Sequence, residues 1–341
     1  MCASRLANQL AIDGNFEHHA AAWQPSSAIG GRIRMPTRQA PGLASPPLHL
    51  SLVLAAGCMA HGLPTDAHVE AIGPAAPKAA ELPRQIRVVE FNTHMERGEK
   101  IVDAIVHDPA LRDADVIILE EVHRSNLGCS GACEVGKALG FYSVYAPGMA
   151  NGDGDDGVAI VSRAPITSSR VIELPQYDVH INSGRRIALA ATIDRASANR
   201  PPAAIPCSAS VPTPVLQPIT VYAVHLENRI TVAQRRAQME PVLALAAKQT
   251  TPVIIAGDFN TSPFTWIAHV IPIPTGTQDD KLEADVRAHG FQTPVVASGP
   301  TSRFLGMKLD AIYTRGFRTT DFATARASDV SDHLAMWAIV E

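Results

Sequence analysis

The sequence predicts a layered α/β fold whose strands pair largely antiparallel, and two observations lead there. Strand-like segments outnumber helical ones, and the two kinds interleave without a regular β–α alternation. Several strands are followed by no helix that could carry the chain back across a sheet, so most neighbours must run antiparallel. Packed sheets with helices outside fit this pattern better than a TIM barrel or a Rossmann sheet. No unit of roughly 20–50 residues recurs, which excludes a solenoid or propeller.

The elements follow in chain order. Ile86–Phe91 is a β-rich run ending in Asn92-Thr93-His94. Glu99–Arg112 places Ile101, Val102, Ile105 and Val106 at helical spacing, with Pro109 ending its first part. Asp115–Val122 is a continuous apolar run of the kind buried on both faces. Cys133–Leu139 reads as a short helix, and Gly157–Ser162, Ile187–Ile193 and Ile219–His225 as strands. Thr231–Lys248 is helical, with Pro241 expected to kink or divide it. Pro252–Ala256 is a buried strand running into Gly257-Asp258-Phe259-Asn260, and Asp279–His289 is a helix. Leu309–Thr314 and Leu334–Val340 are the last strands. Residues 149–157, 196–218 and 261–281 read as loops, the second of them Pro-rich.

Composition narrows the function classes. The chain has 341 residues, 46% hydrophobic and 18% charged, enough for a sizeable core and against global disorder. With 23 Gly and 26 Pro it is not collagen-like or of low complexity. A net charge of −4 offers no basic surplus for nucleic acid. No apolar run reaches about 18 residues, so no segment reads as a transmembrane helix. Five Cys without zinc-ribbon spacing do not make a disulfide scaffold.

The first 84 residues differ from the rest. Residues 1–57 read as an N-terminal extension and signal peptide, with Met35 the expected start. The apolar run from Leu48 to Gly57 ends in small residues, the layout of a secretory signal. Ala55-Ala56-Gly57-Cys58 resembles a bacterial lipobox, which would make Cys58 the lipidated first residue, although Ala55 stands where Leu is usual. Residues 58–84 read as a linker or tether, and residues 85–341 as the folded domain. Four Arg against Asp13 and Glu17 leave +2 on residues 1–57 and therefore −6 on residues 58–341. The expected location is extracytoplasmic: secreted, periplasmic or lipid-anchored to the envelope.

Polar residues collect where strands end: Asn92, Glu120-Glu121, His225, Asp258 with Asn260, Asp310, and Asp332-His333. Singly, each has an ordinary structural explanation as a cap, turn residue or exposed acid. Together they mark a reactive site assembled at strand ends.

In that order the segments resemble the endonuclease/exonuclease/phosphatase superfamily. The matching pieces are Phe91-Asn92, Asp115–Val122, Gly157–Ile166, His225–Asn228 followed by Arg235 and Gln238, Gly257–Asn260, Asp310–Ile312 and Ser331-Asp332-His333. The resemblance spans residues 85–341 and implies a four-layer αββα sandwich with two mixed, largely antiparallel sheets. It implies Glu121 as the main divalent-metal ligand, with Asn92 and Asp332 at the metal. It implies that Asp258 orients or deprotonates the attacking water, that Asn260 bonds the phosphate or nucleophile, and that His225 contacts the scissile phosphate. His333 would be the acid/base or phosphate-stabilising group, oriented by Asp310. The implied cofactor is Mg2+, with Mn2+ as substitute.

These residue types suit phosphoester hydrolysis. Magnesium is hard, prefers oxygen ligands and keeps several waters, so one or two carboxylates suffice. It neutralises charge that develops as water attacks an already anionic phosphate. A carboxylate supplies the base, and an imidazole backed by an acid is held in one tautomer.

Some positions depart from the family pattern. Glu120 stands where Gln is common, and either draws in a cation or points outward. His94 stands where family nucleases often carry Asp, and Val158 replaces an Asn. Arg186 is a candidate phosphate contact, against a solvated strand-edge arginine. Cys129 and Cys133 lie four apart in a Gly-containing segment. After export they read as a local disulfide, with a soft-metal pair as the alternative. Asn151–Asp156 resembles half a calcium loop without its closing Glu, and reads as a loop near the site mouth.

The sequence therefore predicts an exported enzyme, a monomer, that hydrolyses phosphoester or phosphodiester bonds with metal-assisted water. Phospholipids, small phosphodiesters and DNA are the substrate candidates, and the membrane is a partner through Cys58. An extracellular DNA endonuclease is the nearest alternative. A catalytically silent binding protein of the same fold, or an envelope-anchoring module, would be the alternatives from other classes.

Overall fold

The computed structural model describes residues 61–62, 67–75, 81–179, 184–195, 216–267, 269–275, 278–292, 299–303, 305–325 and 329–341. Met35, Cys58 and most of the Pro-rich segment 196–218 lie outside the described residues. The elements in order are β1 (His61–Gly62), β2 (Glu70–Ile72), β3 (Ile86–Asn92), α1 (Gly98–His107), β4 (Val116–Ser125), α2 (Gly131–Leu139), β5 (Tyr142–Asn151) and β6 (Gly154–Ser162). They continue with β7 (Ile166–Glu173), β8 (Ile187–Ile193), β9 (Ile219–His225), α3 (Val232–Ala246), β10 (Val253–Asp258), β11 (Phe264–Ile267), β12 (Ile271–Pro274), α4 (Asp279–Ala288), β13 (Asp310–Arg315), β14 (Thr319–Ala325) and β15 (Ala335–Val340).

Two large sheets face each other. The first runs β1-β5-β6-β4-β3-β15-β14, with β2 also on β5; the second runs β13-β10-β9-β8-β7. Among the described strands each sheet contains one parallel pair, β3 with β4 and β9 with β10, and all other neighbours are antiparallel. The expected mixed, largely antiparallel arrangement is thus observed.

Strand alternation explains the layers. Val88, Val116 and Ile118 of the first sheet meet Leu189, Val221, Ala223, Ile254 and Ile312 of the second in one inter-sheet core. The residues between them point outward and are covered by helices. Ile101, Ile105, Ala132 and Val135 of α1 and α2 pack on Val89, Phe91, Ile117 and Leu119. Met239, Val242, Leu243, Leu282 and Val286 of α3 and α4 pack on Tyr222, Val224, Val253 and Ile255. Helix, sheet, sheet and helix make the four layers.

Local chemistry sets the element ends. α1 stops at His107 with Asp108 as its cap, one residue before Pro109. α2 starts from Ser130, whose hydroxyl accepts from the Cys133 N–H, and ends at Gly140 in the left-handed region. Cys129 and Cys133 form a disulfide at the start of this helix. α3 opens with a capping box of Thr231 and Gln234 and runs unbroken through Pro241. Ala237, whose carbonyl loses its helical partner to the proline, lies on the exposed side of the helix, where solvent can reach it.

The structure differs from the sequence reading in several places. β5, β7 and β14 were not expected as strands. Their alternation is diluted by Pro147, Gly148, exposed Ser and Thr, or short apolar content. Residues 149–157 are not a loop but the ends of β5 and β6 around Gly152-Asp153. The 261–281 segment contains the isolated hairpin β11–β12, whose Ile267, Val270 and Ile271 are exposed. Two pieces of the expected tether, β1 and β2, pair with β5 and cover its open edge.

Gly257 illustrates how tightly the sheet is built. Its φ is +148°, and a Cβ there would lie 1.9 Å from the Val224 carbonyl oxygen of the neighbouring strand. Gly257→Ala is expected to cost about 3 kcal/mol or more in urea unfolding. Gly152→Ala, at φ +59° with open space around it, is expected to cost only about 1–2 kcal/mol. Equal losses in the two variants would refute close strand approach as the reason for Gly257.

Candidate active site

The inter-sheet face turns polar toward one end. On β3 the residues after Val88 on that face are Glu90 and Asn92; on β4 Glu120 follows Ile118. On the second sheet His225, Asp258 and Asp310 end or begin three adjacent strands in direct register, His225 opposite Asp258 and Asp258 opposite Asp310. The apolar core therefore ends in a layer of acids and imidazoles.

A bulge brings Glu121 into this layer. The β4–β6 register shifts between Leu119 and Val122, and Glu121 has φ +50°. A non-glycine residue in this region is strained and depends on its surroundings. Thr93 and Met95 supply them: their N–H groups donate to the Glu120 and Glu121 carbonyls at 2.9 Å each. The Thr93 hydroxyl donates to the same two carbonyls at 3.0 Å.

Asp258 is the hub. Its Oδ2 accepts from Asn92 Nδ2 at 3.0 Å and Asn260 Nδ2 at 3.2 Å, and its Oδ1 from the Asn260 N–H at 2.8 Å. His225 Nε2 lies 3.7 Å from Oδ2 and His333 Nε2 lies 3.9 Å from it. Burial, then the charge of Asp310, pushes the Asp258 carboxyl up to about 7, against the opposing pull of His333. Asn260, at φ +51°, also donates to the Leu226 carbonyl at 3.0 Å.

The two histidines sit in opposite environments. For His333, burial disfavours the charged ring, but Asp310 outweighs it and holds the ring well above the usual imidazole range. His333 Nδ1 lies 2.8 and 3.0 Å from the two Asp310 oxygens, which directs Nε2 toward Asp258. Burial, then Arg186 and His333, hold His225 well below that range.

Asn92 Nδ2 also reaches Glu121 at 3.4 Å, and its oxygen accepts the His94 N–H at 3.0 Å. Asp332 lies at the rim, half-exposed, with an oxygen 3.7 Å from His94 Nδ1. Glu121 is half-buried, and burial raises its carboxyl despite His94 and His333. Among the described residues, two donor groups could hold a cation: Glu121 with His225 and Asp258, and Asp258 with Asp310 and His333. The first combines a hard carboxylate facing the opening with buried support, which suits a divalent ion that keeps waters.

Arg186 is not a solvated edge residue. It is buried, its Nε donates to Glu227 at 2.9 Å, and its Nη1 lies 3.3 Å from both His225 ring nitrogens. A cleft opens beside it, bordered by Glu121, His225, Met149, Asp156 and Val158.

Arg235 and Gln238 explain the R-x-x-Q spacing. Buried within α3, they reach the segment after His225: Arg235 Nε donates to the Glu227 carbonyl at 3.2 Å, and Gln238 accepts the Glu227 N–H at 2.9 Å. Asp153 and Asp156 bind His123 at 3.1 and 2.8 Å, so the acids of the half calcium loop brace the β5–β6 hairpin.

Glu120 points inward, not outward. It and Glu90 are each 0% exposed, and among the described residues their carboxyl oxygens have no partner but each other. Burial, followed for Glu90 by Asp310 and Glu120, raises both carboxyls well above the usual range. Sequence reading passed over Glu90; its signal was an acid sharing strand parity with Asn92. Folded carboxyls held this way contribute stability at low pH that is lost as pH rises past their ordinary range. Glu120→Gln gives Glu90 a donor and removes one ionisable acid. In urea unfolding with EDTA it should gain about 1–3 kcal/mol at pH 8 and little at pH 5. A loss at pH 8 would contradict this account.

Comparisons with known proteins agree with the geometry. The family model described as "Endonuclease/Exonuclease/phosphatase family" matches residues 89–333. A solved endonuclease/exonuclease/phosphatase from Beutenbergia cavernae is similar, with TM-score 0.58 and 18% identity over 76% of this chain and 72% of that one. A family protein from Leptotrichia buccalis gives 0.54 and 15% over 75% and 99%. The human Nocturnin catalytic domain gives 0.53 and 16% over 78% and 99%. None of the curated proteins compared matches the sequence. The match over most of the folded region, on a four-layer sandwich with its acids and imidazoles at one end, places this chain in the endonuclease/exonuclease/phosphatase family.

Proposed function

We propose that the protein is an exported, divalent-metal-dependent hydrolase of phosphoester or phosphodiester bonds that uses activated water. The observation that carries this reading is Asp258, a buried carboxyl pushed up to about 7 and flanked by two imidazoles and Asn92. A base with such an affinity for protons is suited to take one from water near neutral pH.

Glu121 holds the metal, with Asn92 and Asp332 beside it; Mg2+ fits this oxygen-rich set and Mn2+ can replace it. When bound, the ion supplies charge neutralisation and orientation for the phosphate. The protein's own groups do the rest. Asp258 orients water and accepts its proton, while Asn260 keeps the Asp258 carboxylate turned toward the reacting side through two hydrogen bonds. His225 donates to a phosphate oxygen, and Arg186 lends positive charge beside it. His333, kept protonated by Asp310, stabilises or protonates the oxygen that gains charge as the ester bond breaks.

The disulfide Cys129–Cys133 supports an oxidising location, since such bonds persist mainly outside the cytoplasm. It agrees with a signal peptide ending before Cys58, and with anchoring there by a lipid. The enzyme acts as a monomer on a phospholipid, a small phosphodiester or DNA.

Supercoiled DNA, RNA, sphingomyelin, inositol phosphates and bis-p-nitrophenyl phosphate, each with magnesium and with EDTA, form the test. At least one should be hydrolysed only with metal, and His333→Ala and Asp258→Asn should each lose about 10^2–10^4 in kcat. Hydrolysis that persists in EDTA, or wild-type rates in both variants, sinks the proposal. The rate should rise with pH as Asp258 loses its proton, with a midpoint at or below about 7 because a bound cation pulls it down. It should fall again on the alkaline side as His333 deprotonates. A pH–kcat/KM profile lacking the acid limb would contradict Asp258 as base.

A further inference from the structure

We infer that the β11–β12 hairpin is a membrane-docking element: its apolar tip enters the headgroup region of a phospholipid bilayer and holds the mouth of the site against it. Docking of this kind needs no hydrolysis, and so goes beyond the proposed function.

The hairpin is built unlike the rest of the surface. No Asp, Glu, Lys or Arg stands between Asp258 and Asp279. Ile267, Val270 and Ile271 at its tip are 54%, 53% and 55% exposed. Cross-strand pairing puts Ile267, Ile271 and Ile273 on one face and Trp266, Pro272 and Pro274 on the other. Both faces are thus apolar. A flat protein partner would cover one and leave the other in water, whereas a lipid surface takes in both.

The edge of β12 points the same way. The Thr275 N–H donates to the Pro263 carbonyl at 2.8 Å, which makes these two a hydrogen-bonded pair. Such pairs alternate with non-bonded ones along an antiparallel ladder. The non-bonded pairs are then Phe264 with Pro274 and Trp266 with Pro272, whose backbone groups face outward. Proline at 272 and 274 leaves no N–H there for an added strand of another chain. It also removes two donors that lipid could not satisfy. The Arg229 guanidinium lies 5.8 Å from the Trp266 ring centre, and an aromatic ring and a snorkelling cation both settle at headgroup level.

The hairpin stands at the site end of the sheets. β11 starts at Phe264, shortly after Asn260, and His269 Nδ1 donates to the Arg229 carbonyl at 2.7 Å, just past the Glu227 segment. Gln278 fixes the base, donating to the Phe264 carbonyl while accepting from Arg235. The tether reaches the same end. β1 begins at His61, three residues after Cys58, and pairs with Met149 and Ala150. Met149 borders the cleft beside Glu121 and His225. Three extended residues span at most about 11 Å. A lipid on Cys58, as proposed above, would therefore keep this end near the bilayer. With −6 on residues 58–341 the attraction is not to anionic lipid, so a zwitterionic surface is the expected one.

The test uses the full chain with Cys58→Ser, which removes the acyl anchor, and vesicles of phosphatidylcholine. Trp266 emission should shift to the blue and be quenched by lipids brominated high in their acyl chains. Trp266→Phe should abolish that response, which separates the hairpin from the N-terminal apolar run. Added salt should change it little. In the double variant Ile267→Ser, Ile271→Ser the midpoint of the response should move to about 10–50-fold more lipid. Both side chains are exposed, so this variant should match the wild type in urea unfolding and in its rate on bis-p-nitrophenyl phosphate. Trp266 emission that ignores vesicles, or an unchanged midpoint in the double variant, overturns the inference. So does a concentration-dependent dimer that the double variant abolishes, since the hairpin would then join two copies of this chain. If the wild type hydrolyses nothing with metal, the functional proposal fails, while the vesicle response still decides the docking.

Discussion

An acid-rich layer is laid across the end of an apolar slab, and the site depends on the balance of that layer. Glu90, Glu120, Glu121, Asp258 and Asp310 all lie where the inter-sheet core ends. On one side of them the packed aliphatic residues exclude water, so each charge is poorly screened from the next. Such a layer cannot be fully ionised without compensation. The protein compensates in three ways. It surrounds Asp258 with amide donors from Asn92 and Asn260. It places His333 on Asp310 and pairs Arg186 with Glu227. It buries Glu90 and Glu120 completely, which raises their proton affinity well above the usual carboxylate range. The remaining negative charge at Glu121, nearest the opening, suits a divalent cation.

The same layer explains where the backbone is strained. His94, Met95, Glu121 and Asn260 all have positive φ. His94, Met95 and Asn260 follow strand ends, and Glu121 sits at the bulge within β4. Regular strands would send Glu120 and Glu121 to opposite faces. The bulge lets both serve the inter-sheet side, and the Thr93 hydroxyl and N–H hold the bulged carbonyls. Such strain persists only where surrounding structure over-determines it, here the core of two packed sheets.

The legible part of the molecule was whatever followed strand periodicity or strand-end chemistry. The runs Asp115–Val122 and Ile219–His225 announce buried strands, and Asn92, His225, Asp258 and Asp310 sit where those strands meet the site. Strands β5, β7 and β14 were hidden because one face of each is exposed or interrupted, so neither an apolar run nor clean alternation survives. Glu90 was hidden because one acid in a hydrophobic strand looks like noise until its partner Glu120 is placed beside it. Glu227 stood in a recognised segment, but Arg186 reaches it only through the pairing of β8 with β9. Position in a motif can be read from one sequence; a contact across a sheet cannot.

Two imidazoles flank one carboxylate, and their surroundings push them apart. His333 faces an acid on its far side, so its charged form is favoured and its Nδ1–H is committed to Asp310. His225 is buried and has the Arg186 cation beside it, so its neutral form is favoured. Two like groups with opposed environments are what a reaction needs when one must donate a proton and the other only a hydrogen bond. If both were cations, Asp258 would be drawn down and lose its affinity for the proton of water. If both were neutral, nothing would compensate Asp310 or the oxygen that leaves. Burial is the main cause of the raised proton affinity of Asp258, and Asp310 and His333 then act on it in opposite directions. Asp310 behind one ring, and burial with Arg186 behind the other, thus give two like groups opposite proton affinities.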